Sequence, residues 1–202
     1  MRRVFWIGGI GVALLFAGGS ARGAAEIGVR AGWLDANGEV FPGSGEIGDG
    51  GVYGFVLALG LVPEIDVEFA YERYRQEFSF ERGIFEETFF EGEGEFEDQA
   101  YLFTAKLHLP LLTGPLDLYG GGGGSLHEID LHVDSEEAGV EEIIDALSEE
   151  RSEWAWHVVA GAGLRLPPLP VRFYGEVRFN DVAGENTPNT ASVYAGVNLY
   201  LD

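Results

Sequence analysis

Tyr101-Leu102-Phe103-Thr104-Ala105-Lys106-Leu107-His108-Leu109 alternates without a break: Tyr101, Phe103, Ala105, Leu107 and Leu109 fall at every second position, against Leu102, Thr104, Lys106 and His108. A period of two is that of a β-strand with one apolar face. The same period recurs on both sides of this stretch. Upstream it runs through Ile27-Val29-Ala31-Trp33, Tyr53-Phe55-Leu57-Leu59 and Ile65-Val67-Phe69-Tyr71. Downstream it runs through Leu116-Leu118, Trp156-Val158-Ala160-Ala162-Leu164, Val171-Phe173-Gly175-Val177-Phe179 and Val193-Ala195-Val197-Leu199-Leu201. Eight such segments predict an all-β, eight-stranded antiparallel up-and-down barrel.

The connections alternate in length. Leu61-Val62-Pro63, Pro110 to Gly114 and Pro167 to Pro170 are tight, whereas segments of about 35–50, 77–98, 128–153 and 181–190 are long. An even-stranded barrel with its turns at one end and its loops at the other has this pattern. Acidity follows the same division, because the four long segments hold 26 of the 34 Asp and Glu, with only Arg82 and Arg151 as bases. A nearly neutral wall therefore carries one strongly anionic end.

Composition excludes several classes. A net charge of -22 argues against any nucleic-acid partner, since phosphates are met by Lys and Arg that are scarce here. Without cysteine there is no disulfide framework and no thiolate metal site. The first 25 residues read as a secretory signal peptide, with Arg2 and Arg3, an apolar run from Val4 to Ala17, and small residues up to Ala25. Cleavage is expected after Gly23 or Ala25, leaving residues 26–202 as the barrel domain. No later stretch is long enough for a membrane helix, so the mature chain can span a bilayer only as a closed barrel.

Alternation does not say which face is outside. A soluble, lipocalin-like barrel is the rival to a membrane barrel. The membrane reading is favoured because the apolar faces are free of charge, the polar faces hold Gly and balanced charge, and Trp33, Tyr71, Trp154 and Trp156 gather near the long loops as an interfacial girdle. The inward set is then Arg30, Asp66, Glu68, Glu72, Lys106, Asp117, Arg165, Arg172, Glu176 and Arg178, five acids and five bases, with His108 and His157 beside them. An eight-stranded barrel is just wide enough for side chains to fill it, so these charges must pair. A static polar plug is favoured over a narrow channel gated by re-pairing.

With signal peptide, strand count, loop asymmetry and the final strand Val193-Tyr194-Ala195-Gly196-Val197-Asn198-Leu199-Tyr200-Leu201-Asp202, the chain resembles the small eight-stranded outer-membrane barrels, of the outer-membrane protein A membrane-domain and outer-membrane protein W types. The resemblance covers about residues 26–202. It implies localisation in the cell outer membrane, contact with its lipid and lipopolysaccharide, passage through the outer-membrane assembly machinery, and a monomeric scaffold with surface-exposed acidic loops. Members of such families finish on an aromatic residue, whereas here Leu201 and Asp202 follow Tyr200. A passive channel for hydrophobic or cationic solutes is the alternative function.

Some eight-stranded barrels modify lipid A, the deacylase type with a His, a Ser two residues later and a Glu on a neighbouring strand. His108, His127, His132 and His157 are followed at that spacing by Pro110, Ile129, Asp134 and Val159, so no enzyme is expected, and no cofactor. Gly120 to Gly124 is no phosphate loop, lacking the Lys-Ser/Thr that should follow; it is expected to make room for Tyr119 and Arg178. A helix capped at Asp134 or Ser135, with Val140, Ile143, Ile144 and Leu147 as its apolar stripe, is expected within 128–153, as a lid or a partner-binding element. The segment 77–98 is expected to extend strands three and four as a hairpin. Its carboxylates offer diffuse attraction to divalent cations, although no calcium-loop spacing is present. Arg73 and Arg75 continue the outward face of strand three above Tyr71, where they meet either lipid phosphates or neighbouring acids.

Overall fold

The computed structural model describes residues 25–37, 50–85, 88–109, 115–134, 149–182 and 189–201. They form eight strands: β1 (Ala25–Asn37), β2 (Gly50–Val62), β3 (Ile65–Phe85), β4 (Thr88–Leu109), β5 (Leu116–Asp134), β6 (Glu149–Arg165), β7 (Val171–Val182) and β8 (Asn189–Leu201). Each pairs antiparallel with its sequence neighbour, and β1 pairs with β8 from Ala25↔Leu201 to Asn37↔Asn189, so the sheet closes on itself without a free edge around the ring. Closure matters in lipid, where an unpaired strand edge would leave backbone groups with no partner.

Alternation decides the two faces. Along β2 burial switches residue by residue from Gly50 to Ala58, with Val52 and Val56 buried and Tyr53 and Phe55 exposed. The apolar set of every strand faces out. From Ala25 to Trp33, Tyr53 to Leu61, Tyr101 to Leu109, Trp154 to Leu164 and Val193 to Leu201, no outward position carries a charge. Girdle aromatics stand at the long-loop end: Trp33 is 57% exposed and Trp154 68%, and Tyr71 lies against Tyr101 with ring centroids 5.4 Å apart.

The central strands run past the girdle. β3 and β4 stay paired to Phe85↔Thr88, and β4 with β5 to Glu93↔Asp134, so residues 77–85 and 88–98 continue the wall as paired strands. The 128–153 segment is shorter than its sequence suggested, because β5 continues to Asp134 and β6 begins at Glu149. The helix expected there falls on residues outside those described, as does the signal peptide.

The glycines act differently from expectation. Gly121 and Gly123 face inward, but a Cβ on either would run into the Ala105 or Phe103 carbonyl of β4, so they permit close approach of two backbones. Room for Tyr119 comes instead from Gly161, its cross-strand partner, whose added Cβ would overlap the phenol ring. Tyr174 lies over Gly196 in the same way, and Tyr194 lies beside Gly32. Inward glycines thus create the slots into which bulky rings lie flat.

Candidate functional site: the barrel interior

The polar core is layered. In the middle, three carboxylates from β3 and β7 meet three bases from β1, β4 and β7. Arg30 pairs with Glu68 at 2.7 Å, with Glu72, and with Glu176 at 3.6 Å. Lys106 Nζ donates to Glu68 at 2.5 Å and to Glu176 at 2.6 Å. Arg178 donates to both oxygens of Glu72, at 2.8 and 2.9 Å, and to Glu176 at 3.0 Å. The Tyr194 hydroxyl donates to Glu72 at 2.8 Å, and Tyr119 donates to Glu176 at 3.2 Å. All six charged groups are buried. Their number balances, which is the condition for holding ions in a site without bulk water.

A second layer lies at the short-turn end. The His108 ring bridges Asp66 at 2.7 Å and Asp117 at 2.9 Å, Arg172 pairs with Asp117 at 2.8 Å, and Glu26 lies 3.6 Å from Arg172 while accepting from Asn198 at 2.8 Å. Glu26 is missing from the inward set read from sequence, although it shares parity with Gly28 and Arg30; its place beside the expected cleavage point hid it. Arg165 is the converse. Parity places it inside, but β6 ends there and the structure leaves it exposed, stacked over the Tyr200 ring at 5.5 Å and outside the network.

Toward the long-loop end the interior changes character. Asp98 on β4 accepts from His127 Nδ1 at 2.8 Å, His127 Nε2 lies 3.0 Å from Ser125 Oγ, and Thr104 meets His157 at 2.9 Å. Above them Leu34, Val52, Tyr74, Phe96, Ile129 and Tyr194 form a buried apolar cluster. The charged plug expected from the sequence is thus capped by an apolar layer. That layer is apolar because parity at these positions happens to select Leu34, Val52, Phe96 and Ile129, and nothing in a strand's period demands that both faces differ in polarity at every level. A void of about 10 Å³, lined by Glu72, Asp98, His127, Asn180 and Thr190 among others, is the size of one water molecule.

Ser125, His127 and Asp98 have the order of contacts of a nucleophile, a base and an orienting acid, with the Ser two residues before the His instead of after it. The spacing searched for in the sequence would not have found it. Ser125 is nevertheless 1% exposed and sealed under the apolar cluster, and its inward neighbour Gly123 abuts the Phe103 carbonyl. The Ser125 hydroxyl is thus held away from bulk solvent, whereas acyl transfer requires a nucleophile that a substrate carbonyl can reach.

Outside the core, Arg73 and Arg75 face outward above the girdle and meet acids across the β3–β4 ladder: Arg73 donates to Glu97 at 2.6 Å, and Arg75 pairs with Glu95. The hydrogen bond from Arg73 holds the Glu97 carboxyl below its usual range. A lipid phosphate would have to compete with these partners. Among the described residues no cluster of three or more His, Asp or Glu is arranged to hold a metal ion.

An uncharged apolar belt, an aromatic girdle and a charge-balanced, closely filled interior define the chain as a small transmembrane β-barrel of the outer-membrane class. Comparison of the structure with solved ones agrees on the fold. Neisserial surface protein A superposes with a TM-score of 0.57 at 11% identity, over 89% of this chain and 97% of that one. The N-terminal β-barrel domain of Pseudomonas aeruginosa OprF gives 0.50 at 11% identity, over 88% and 100%. Ail, the attachment invasion locus protein of Yersinia pestis, gives 0.51 at 12% identity, over 89% and 97%. No family model matches the sequence, and no curated protein matches it significantly.

Proposed function

We propose that the protein is a non-enzymatic outer-membrane scaffold that carries an acidic module on the cell surface. The observation that supports this reading most is the filled interior, in which a balanced six-ion cluster and an apolar cluster toward the long-loop end are both buried. Purified protein in planar bilayers is therefore expected to show no steady conductance. Reproducible single-channel steps from the unmodified chain would replace the scaffold by a passive channel.

Absence of catalysis makes its own prediction. A fluorophosphonate probe is expected to leave Ser125 unlabelled in the folded protein, because the hydroxyl cannot present itself to an electrophile. Labelling that disappears in Ser125→Ala would restore the enzyme reading.

The acidic end restricts the partners of the module. Ail has been crystallised with the heparin analogue sucrose octasulfate. A polysulfated ligand would be repelled by long segments holding 26 of 34 acids, so cationic partners, including divalent ions that bridge to lipopolysaccharide phosphates, suit this surface.

A further inference from the structure

The tight turns carry an unusual load of apolar side chains. Leu61 and Val62 at the end of β2 are 54% and 49% exposed, and Leu166 and Leu169 between β6 and β7 are 37% and 59% exposed. No outward-facing Trp or Tyr separates them from the belt, so Leu109, Leu164 and Leu201 lead straight into the turn region. At the opposite end, aromatics mark the interface.

Belt height sharpens the contrast. Eight residue steps separate the girdle from the strand end in Tyr53–Leu61, Tyr101–Leu109, Trp156–Leu164 and Trp33–Ala25. At ~3.3 Å per residue and a tilt of ~40°, eight steps rise only ~20 Å, whereas the apolar band of such barrels is ~25 Å tall. Nine residues stand at the short end of what a tilted strand needs to cross, so apolar side chains just beyond them add useful height.

The β6–β7 turn is also built without loose donors. Pro167, Pro168 and Pro170 have no N–H, Leu166 N donates to Val171 O at 3.3 Å, and Leu169 N donates to Leu166 O at 2.7 Å. The Pro170 carbonyl accepts from Tyr200 N at 2.9 Å. Every backbone N–H from 166 to 170 is bonded or absent, so the turn adds no free donor to the apolar surface it presents.

We propose that Leu166–Pro170, together with Leu61 and Val62 at the end of β2, lies at the boundary between the acyl chains and headgroups of the periplasmic leaflet and extends the hydrophobic thickness of the barrel. This rests on the outer-membrane reading. The occupant is lipid because the surface is continuous with the lipid-facing belt and adds to a span at the short end of the usual range. Arg165 keeps its stem on Tyr200 and its guanidinium exposed, as a residue that reaches back to water from a submerged end does.

The chain contains no cysteine, so single labels are unambiguous. Nitroxide would be attached to Leu61→Cys and Leu169→Cys in phosphatidylcholine–phosphatidylglycerol vesicles, with Phe55→Cys as the belt reference and Glu77→Cys as the water reference. Collision with oxygen and with a water-soluble nickel chelate is then compared. Both turn sites are expected to approach Phe55→Cys, with nickel accessibility several-fold below Glu77→Cys. Turn sites as nickel-accessible as Glu77→Cys, beside a protected Phe55→Cys, overturn the proposal and leave the turns to a periplasmic partner. If Phe55→Cys is itself nickel-accessible, the membrane reading fails instead. As a label-free check, the Leu61→Ser/Leu169→Ser variant should fold best in shorter-chain lipids than the parent does; an unchanged optimum also overturns the proposal.

Discussion

Glu176→Gln is expected to destabilise the folded barrel by ~3–5 kcal/mol, because removing one member of a buried ion network leaves the opposite charges uncompensated. Glu176 accepts from Lys106 and Arg178 and lies 3.6 Å from Arg30, so three buried bases lose a counter-charge at once. Unfolding by urea in lipid vesicles, followed by tryptophan fluorescence and by the mobility of unboiled protein on SDS gels, would read the loss. The double variant Glu176→Gln/Lys106→Met should recover most of it. There Glu68 and Glu72 remain against Arg30 and Arg178, and the cluster is again neutral. Equal instability of the single and double variants would show that Glu176 matters through packing and not through charge balance.

The second large effect concerns the outer wall. Val29 lies midway between Ala25 and Trp33 on the outward face of β1 and is 48% exposed. Val29→Arg should cost ~2–4 kcal/mol in a bilayer, and Trp33→Arg ~0–1 kcal/mol from charge, since the penalty falls from the midplane to the interface. The ordering is the informative part. A soluble barrel would tolerate Arg at both exposed positions equally, so comparable stabilities of the two variants in lipid would refute the assignment of this face.

Much of this architecture follows from the chain read in steps of two. The uncharged sets from Tyr101 to Leu109 and from Val193 to Leu201 determine which face meets lipid, because a one-residue slip would turn every one of these residues into the bore. Short connections against long ones determine which end carries the acidic segments. Parity also gathers most of the interior charges, since Arg30, Glu68, Glu72, Lys106, Glu176 and Arg178 must share one face whatever the details of closure.

Only the closed sheet decides the rest. That Lys106 meets both Glu68 and Glu176, residues 38 and 70 positions away, depends on the stagger between strands, which no single strand's pattern contains. The same stagger brings Asp98 to His127, sets Tyr119 against Gly161 and closes the mouth with Leu34, Phe96 and Ile129. It also ends β6 at the rim, which turns Arg165 out of the network that its parity assigned it to. Periodicity is a local property of the backbone and can be read residue by residue, whereas register around a barrel is a collective one, fixed only when β1 meets β8.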